Sequence, residues 1–390
     1  MIALKLAYRN LVGAGLRTWL NAIVLSLAFV VIIWHKGLLD GWNRQARRDT
    51  IDWEIGGGQY WHQGYDPYDP FTIADGHGPL PEEMRAEIEN GGLTPILISQ
   101  AAIYPGGRMQ NILIKGIDPE QGILSIPSGE LKTDIEDIPA IIGTRMASNN
   151  KLNVGDLVTL RWRDTYGTFD AAEAKIAGIF KTNVPAIDNA QMWIPLERLR
   201  RMTQMPGEAT IAVADKDAWI SKNFPGWIFK GYDVLLAELD QIIKQKSIGG
   251  SVLYIMLLLM AMLAIFDTQV LSIFRRQKEI GTDMALGMTR GQVVRLFTVE
   301  GAMHSILAAI LAAVYGIPLL WLQSVKGFSL PQATDDYGLA IAERIHPVYS
   351  ISLILGTIFL VFISATIVSY LPARKIAKMK PTDAIKGKIQ

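Results

Sequence analysis

The chain has 390 residues, long enough for two or three domains, and half of them are hydrophobic. With 38 basic and 37 acidic residues the net charge is +1, so charge gives no reason to expect a nucleic-acid partner. The absence of cysteine excludes disulfides, thiol catalysis and cysteine metal sites.

Mean hydropathy is +0.22, high for a soluble protein, and the apolar residues gather in four runs. Each run reaches the roughly 20 residues needed to cross a hydrocarbon core of about 30 Å. The pattern predicts an α-helical membrane protein with four transmembrane helices and a large extracytoplasmic α+β domain between the first and second.

In chain order, residues 1–18 read as a cytoplasmic interfacial helix, with Leu4, Ala7, Tyr8, Leu11 and Val12 on one face and Lys5, Arg9 and Asn10 off it. The first span covers 19–40, with Trp19 and Trp34 near its ends as interfacial anchors. It is too long for a secretory leader, and Trp34-His35-Lys36 follows where small cleavage-site residues would stand. Residues 41–247 read as a periplasmic α+β domain with helical stalks at both ends. Within it, Asp66-Pro67, Asp69-Pro70 and Asp75-Gly-His-Gly-Pro79 mark loops. A helix is expected at 81–89, with strands at 96–104, 112–117 and 138–142. A helix at 145–151 and strands at 157–162 and 175–180 come next. Residues 192–194 lead into a helix at 196–202, followed by a strand at 210–213 and a helix at 215–223. Strict strand–helix alternation is missing, which argues against a doubly wound sheet.

The second span is expected at 248–274, a cytoplasmic coupling helix and loop at 275–295, and the third span at 296–322. A periplasmic loop at 323–347, a fourth span at 348–371 and a cytoplasmic tail at 372–390 complete the chain. Orientation follows from Arg275, Arg276, Lys278, Arg290 and Arg295 in one short segment and from the Lys- and Arg-rich tail. The 323–347 segment has only Lys326 and Arg344. The positive-inside rule therefore puts both termini and the 275–295 segment in the cytoplasm.

The chemistry-bearing candidates are sparse. There is no Gly-x-x-x-x-Gly-Lys-Ser/Thr run and no His-Glu-x-x-His, so no cofactor or metal is expected on the chain and no enzyme activity of its own. Glu300 and His304 fall on one helix face, a metal pair only if a third ligand existed, otherwise a paired or snorkelling carboxylate near the inner interface. Asp267 lies within the second span, about 10 Å from its cytoplasmic end. A proton relay is the sharp reading there, and interhelical hydrogen bonding the plain one. Asp66, Asp69 and Asp75 lack the spacing of a calcium loop. The aromatics Tyr60, Trp61, Tyr65, Tyr68 and Phe71 form either a partner or lipid surface or ordinary core.

Arg276-Gln-Lys-Glu-Ile-Gly-Thr-Asp-Met-Ala-Leu-Gly287 resembles the Arg-x-x-Glu-Ile-Gly-x-x-x-Ala-x-Gly signature of ABC-transporter permeases of the MacB/LolC/LolE/FtsX superfamily. Leu6-Ala-Tyr-Arg-Asn-Leu11 with Leu16-Arg-Thr18, and Pro372-Ala-Arg-Lys375 with Lys380-Pro-Thr-Asp-Ala-Ile385, are similar to that family's two ends. Lys115-Gly-Ile-Asp-Pro-Glu120, Ile142-Gly-Thr-Arg-Met-Ala147, Leu152-Asn-Val-Gly-Asp-Leu-Val-Thr-Leu160 and Gly58-Gln-Tyr-Trp-His-Gln-Gly-Tyr65 look most like the lipoprotein-releasing branch.

The resemblance implies a permease in the inner membrane, driven by a separate cytoplasmic ABC ATPase dimer that carries ATP and Mg. It also implies a second permease copy or paralogue, and a periplasmic chaperone or adaptor. ATPase coupling falls to Lys278, Glu279, Ile280, Gly281, Asp283, Ala285, Leu286, Gly287 and Arg290, with the small residues allowing close approach or ending the helix. Asp283 and Met284 depart from the aliphatic or basic residues usual in the family. Lipoprotein release is the leading function. MacB-like export of peptides or small molecules and FtsX-like signalling to a cell-wall hydrolase are the alternatives.

Overall fold

The computed structural model describes residues 15–132, 137–216, 222–329 and 344–376. Most of the helix expected at 1–18, of the loop at 323–347, of the tail at 372–390 and of the helix at 215–223 lies outside the described residues. The chain divides into two compact units, a helical one (Met1–Asn43, Ile243–Leu330, Arg344–Gln390) and a sheet unit (Arg44–Ile242, Pro331–Glu343).

The 35-residue helix α1 (Leu16–Thr50) ends in a π-turn at Ile51–Ile55. Then come β1 (Gln59–His62), β2 (Gly78–Pro79), α2 (Glu82–Glu89), β3 (Leu93–Ile103), β4 (Gln110–Ile117) and β5 (Ile138–Gly143). They are followed by α3 (Thr144–Asn150), β6 (Leu157–Arg163), β7 (Phe169–Phe180), α4 (Pro185–Asp188), β8 (Gln191–Pro195) and α5 (Leu196–Thr203). The sheet unit continues with β9 (Glu208–Ala209), β10 (Ile211–Ala214), β11 (Trp227–Lys230) and α6 (Tyr232–Leu235).

One nine-stranded sheet runs β11-β1-β10-β3-β4-β8-β5-β7-β6, and β6 pairs back onto β3. Strands β3, β4, β8, β5, β7 and β6 therefore close a six-stranded barrel. Closure depends on the length of β3, which carries two neighbours on one edge: Ile96 sits opposite Ile211 of β10, and Ala101 opposite Trp162 of β6. Side chains alternate across each strand, so Leu97, Ile112, Ile114, Ile142, Leu160, Ile176, Met192 and Ile194 fill the interior. The opposite faces of β3, β4 and β8 build a second core outside the barrel from Ile96, Ile98, Ile117 and Trp193, joined by Ile211 of β10. This is the α+β domain expected from the pattern. Two strands of the nine-stranded sheet were not legible. Gln59–His62 looks like an aromatic loop, yet Tyr60 is 1% exposed and its hydroxyl donates to Lys222 O at 3.0 Å. β11 is four residues with two exposed side chains. The aromatic cluster divides accordingly, since Tyr68 and Phe71 are 78% and 88% exposed.

In the helical unit α7 (Ala237–Arg275), α8 (Gln277–Ala285), α9 (Arg290–Lys326), β12 (Phe328–Ser329), β13 (Arg344–Ile345) and α10 (Ile351–Ile376) follow. Helices α1, α7, α9 and α10 are long and apolar enough to cross a membrane. α7 begins at Ala237, so the expected helical stalk and the second span form one helix. One boundary differs from expectation. α9 already begins at Arg290, within the expected coupling loop, because Thr289 caps it (below). The bundle core joins Leu25 and Phe29 of α1, Ala261 and Ile265 of α7, Ala308 and Ala312 of α9, and Val361 and Ala365 of α10. Small residues let the helices approach. A Cβ on Gly301 of α9 would lie 1.8 Å from Ser369 Oγ of α10, and one on Gly316 would lie 2.7 Å from a Val30 methyl of α1. α1 and α7 are laced in both units: His35 Nδ1 meets Tyr254 Oη at 3.1 Å and Lys246 Nζ stands 3.7 Å over Trp42 in the helical one. In the sheet unit Arg47 pairs with Asp240 at 2.8 Å.

Candidate functional site

The site is the turn between α7 and α9. α7 stops at Arg275, and Arg276 (φ −96°, ψ 11°) breaks the helix and redirects the chain into α8. α8 lasts nine residues. It ends where Gly287 takes φ 108°, a conformation open to glycine and strained for other residues. Thr289 then caps α9. Its hydroxyl accepts from Gln292 N at 3.3 Å, while the Gln292 side chain accepts from Thr289 N at 2.8 Å. Thr-x-x-Gln is a legible capping box, and it puts Arg290 in the first turn of α9 and not on the coupling helix.

α8 has two faces. Ile280 is buried at 5% exposure with Ile273 of α7, Val293 and Phe297 of α9 and Ala373 of α10, and Gly281 is buried beside it. The sequence reading placed Ile280 and Gly281 on the contact surface. They face inward because helical periodicity sets them opposite the polar residues. The outward set is Lys278, Glu279, Asp283, Ala285, Leu286, Gly287 and Arg290, all exposed. Leu286 is 82% exposed, an apolar knob between Asp283 and Arg290.

Arg276 links α8 to α9. Its Nε donates to Glu279 at 3.1 Å, its Nη1 to Glu300 at 3.1 Å, and its guanidinium lies 5.2 Å over the Phe297 ring. Glu300 is 5% exposed. Glu300, expected as a paired or snorkelling carboxylate, is paired with Arg276. Twenty-four residues separate the two, so no helical spacing could have revealed the pair. His304 Nδ1–H donates to the Glu300 carbonyl at 2.9 Å, a local helix bond.

Asp267 lies on the exposed side of α7, while Ile265 and Gln269 occupy the buried side, and it makes no interhelical hydrogen bond among the described residues. In the sheet unit, Asp66 and Asp69 use their carboxylates locally, accepting from Tyr68 N and Phe71 N at 3.0 Å each. Among the described residues no group of three or more His, Asp or Glu is placed to hold a metal.

The family model described as FtsX-like permease C-terminal matches residues 251–381, from α7 through the end of α10. The lipoprotein-releasing system transmembrane protein LolC of Xylella fastidiosa is 21% identical over 327 residues, which cover 76% of this chain and 77% of LolC. The macrolide export ATP-binding/permease protein MacB of Escherichia coli is 24% identical over 306 residues, covering 72% of this chain and 42% of MacB. Among solved structures, the extracellular domain of the noncanonic ABC-type transporter YknZ from Gram-positive bacteria matches with TM-score 0.25 and 14% identity, over 41% of this chain and 84% of that one.

Proposed function

Because this chain belongs to the MacB/LolC/FtsX superfamily of ABC-transporter permeases, we propose that it is the membrane subunit through which a separate ATPase dimer performs work on the extracytoplasmic side. ATP and Mg stay on that ATPase, and the permease itself holds no cofactor. Both termini and α8 face the cytoplasm, and a second copy or paralogue completes the transporter. A separate ATPase accords with the lack of a phosphate-binding loop in the sequence.

One observation carries the reading: α8 is seated by Ile280 and Gly281 and shows Leu286, with charged neighbours, on its other side. An exposed apolar side chain flanked by charges offers a partner a small apolar contact with a polar rim. Motion imposed on that knob reaches α9 through the Arg276–Glu300 pair and α7 through the chain itself. Because α1 and α7 are laced along their length, they move as a pair.

The test is Leu286→Asp in native membranes. Recovery of the ATPase with the permease is expected to fall about tenfold or more, the loss of one anchor residue, with the permease level unchanged. Equal recovery of ATPase overturns the docking role.

Release of lipoproteins from the membrane is the transport activity we infer, supported by the LolC relatives over three quarters of the chain. ATP-dependent release of a triacylated lipoprotein from reconstituted vesicles tests it. Export of a soluble compound with no lipoprotein release would favour the MacB-like reading, for which the 24% identity to MacB speaks.

A further inference from the structure

The register of the sheet unit places a lysine in a row of apolar residues. Lys115 of β4 lies beside Ile98 of β3 on one side and Trp193 of β8 on the other. The same face continues through Ile96, Ile211 of β10 and Trp61 of β1. Together they form the floor of a cavity of about 650 Å³. That volume lies in the range of small-molecule sites.

Two donors in this floor make no hydrogen bond to an acceptor among the described residues. Lys115 is 7% exposed, and its Nζ stands 5.0 Å over the Trp193 ring with no carboxylate in salt-bridge contact among the described residues. Trp193 is 2% exposed, and its Nε1–H has no acceptor among the described residues. Burial pushes the Lys115 ammonium below the usual lysine range, with the Glu54 carboxylate opposing that shift. It also pushes the Tyr65 hydroxyl on the wall up to about 12. Buried polar groups are ordinarily satisfied, and an orphaned cation is among the costliest exceptions. A closed core would place methionine or leucine here. A lysine beside an indole N–H, opening onto a partly apolar space, is the arrangement that receives an anionic acceptor.

We propose that this cavity is a binding site for a small organic anion with an apolar or aromatic body, its carboxylate or equivalent group held by Lys115 and Trp193. The body lies on Ile98 and Ile211 and against the face of Trp61, over whose ring Lys230 stands at 5.5 Å. Glu54 and Glu238 also line the space and disfavour a dianion. The site stands apart from the transport reading and needs neither an ATPase nor a lipoprotein.

The full-length protein in lipid nanodiscs is titrated by calorimetry with 4-phenylbutanoate, 4-phenylbutanamide and 4-phenylbutylammonium, with empty nanodiscs subtracted. The carboxylate is expected to bind saturably with Kd below about 1 mM, at least about tenfold tighter than the amide, with the ammonium weakest. Lys115→Met is expected to remove that tenfold preference and leave amide binding unchanged. Trp193→Phe, which keeps the ring, weakens the carboxylate about threefold or more. The absence of saturable binding overturns the proposal. So does an amide or ammonium bound as tightly as the carboxylate, or a Lys115→Met protein that keeps the preference.

Discussion

Arg276, partly buried, and Lys115, 7% exposed, are cations whose surroundings differ. Arg276, in the helical unit, reaches the buried carboxylate of Glu300 at 3.1 Å and a second carboxylate, Glu279, at the same distance. Lys115, in the sheet unit, has an aromatic face and no carboxylate in contact among the described residues. The first arrangement fixes one element on another. The second, on the proposal above, takes its anion from outside. Burial of charge thus marks a structural joint where the partner is present and a binding site where it is not.

Three substitutions test this contrast. Arg276→Met removes a cation paired with the buried Glu300 and is expected to destabilise the helical unit by about 3 kcal/mol. The readout is the thermal unfolding midpoint of the purified protein, and adding Glu300→Gln should recover much of the loss. Lys115→Met has the opposite sign, since an ammonium held by no ion pair is exchanged for an apolar side chain of similar length. A gain of about 1 kcal/mol is expected at neutral pH. Its pH dependence has a definite sign. The unfolded chain holds the Lys115 proton up to about pH 10.5, whereas the folded chain releases it earlier. Stability therefore rises with pH between the lowered value and 10.5, and Lys115→Met abolishes that contribution. A fall in stability on Lys115→Met would erase the contrast. The smallest effect belongs to Arg47→Ala. Arg47 and Asp240 are 45% and 47% exposed in their side chains, and the loss is expected to stay below about 0.5 kcal/mol.

Much of the architecture was legible. Apolar run length reveals four spanning helices because a bilayer demands it of any helix that crosses. Strands such as β3 and β4 stand out through β-branched content. β1 did not, since its four residues resemble a loop until β10 and β11 are placed on either side. The coupling segment was legible in position and charge but not in orientation. Ile280 and Leu286 look equivalent as apolar residues, yet one is packed into the bundle and the other exposed. Lys115 was noted only within a motif, because nothing in one strand discloses what its neighbours contribute.

The amino-acid sequence by itself determined the membrane-spanning class, the short polar segment between the second and third spans and the lack of a nucleotide loop. These depend on composition and on spacings within a few residues. Tertiary structure alone decided the closing of the barrel through β3 and β6, the Arg276–Glu300 pair, the inward and outward faces of α8 and the cavity floor around Lys115. Each of these joins residues distant in the chain, and their contacts exist only once packing and strand register have brought them together.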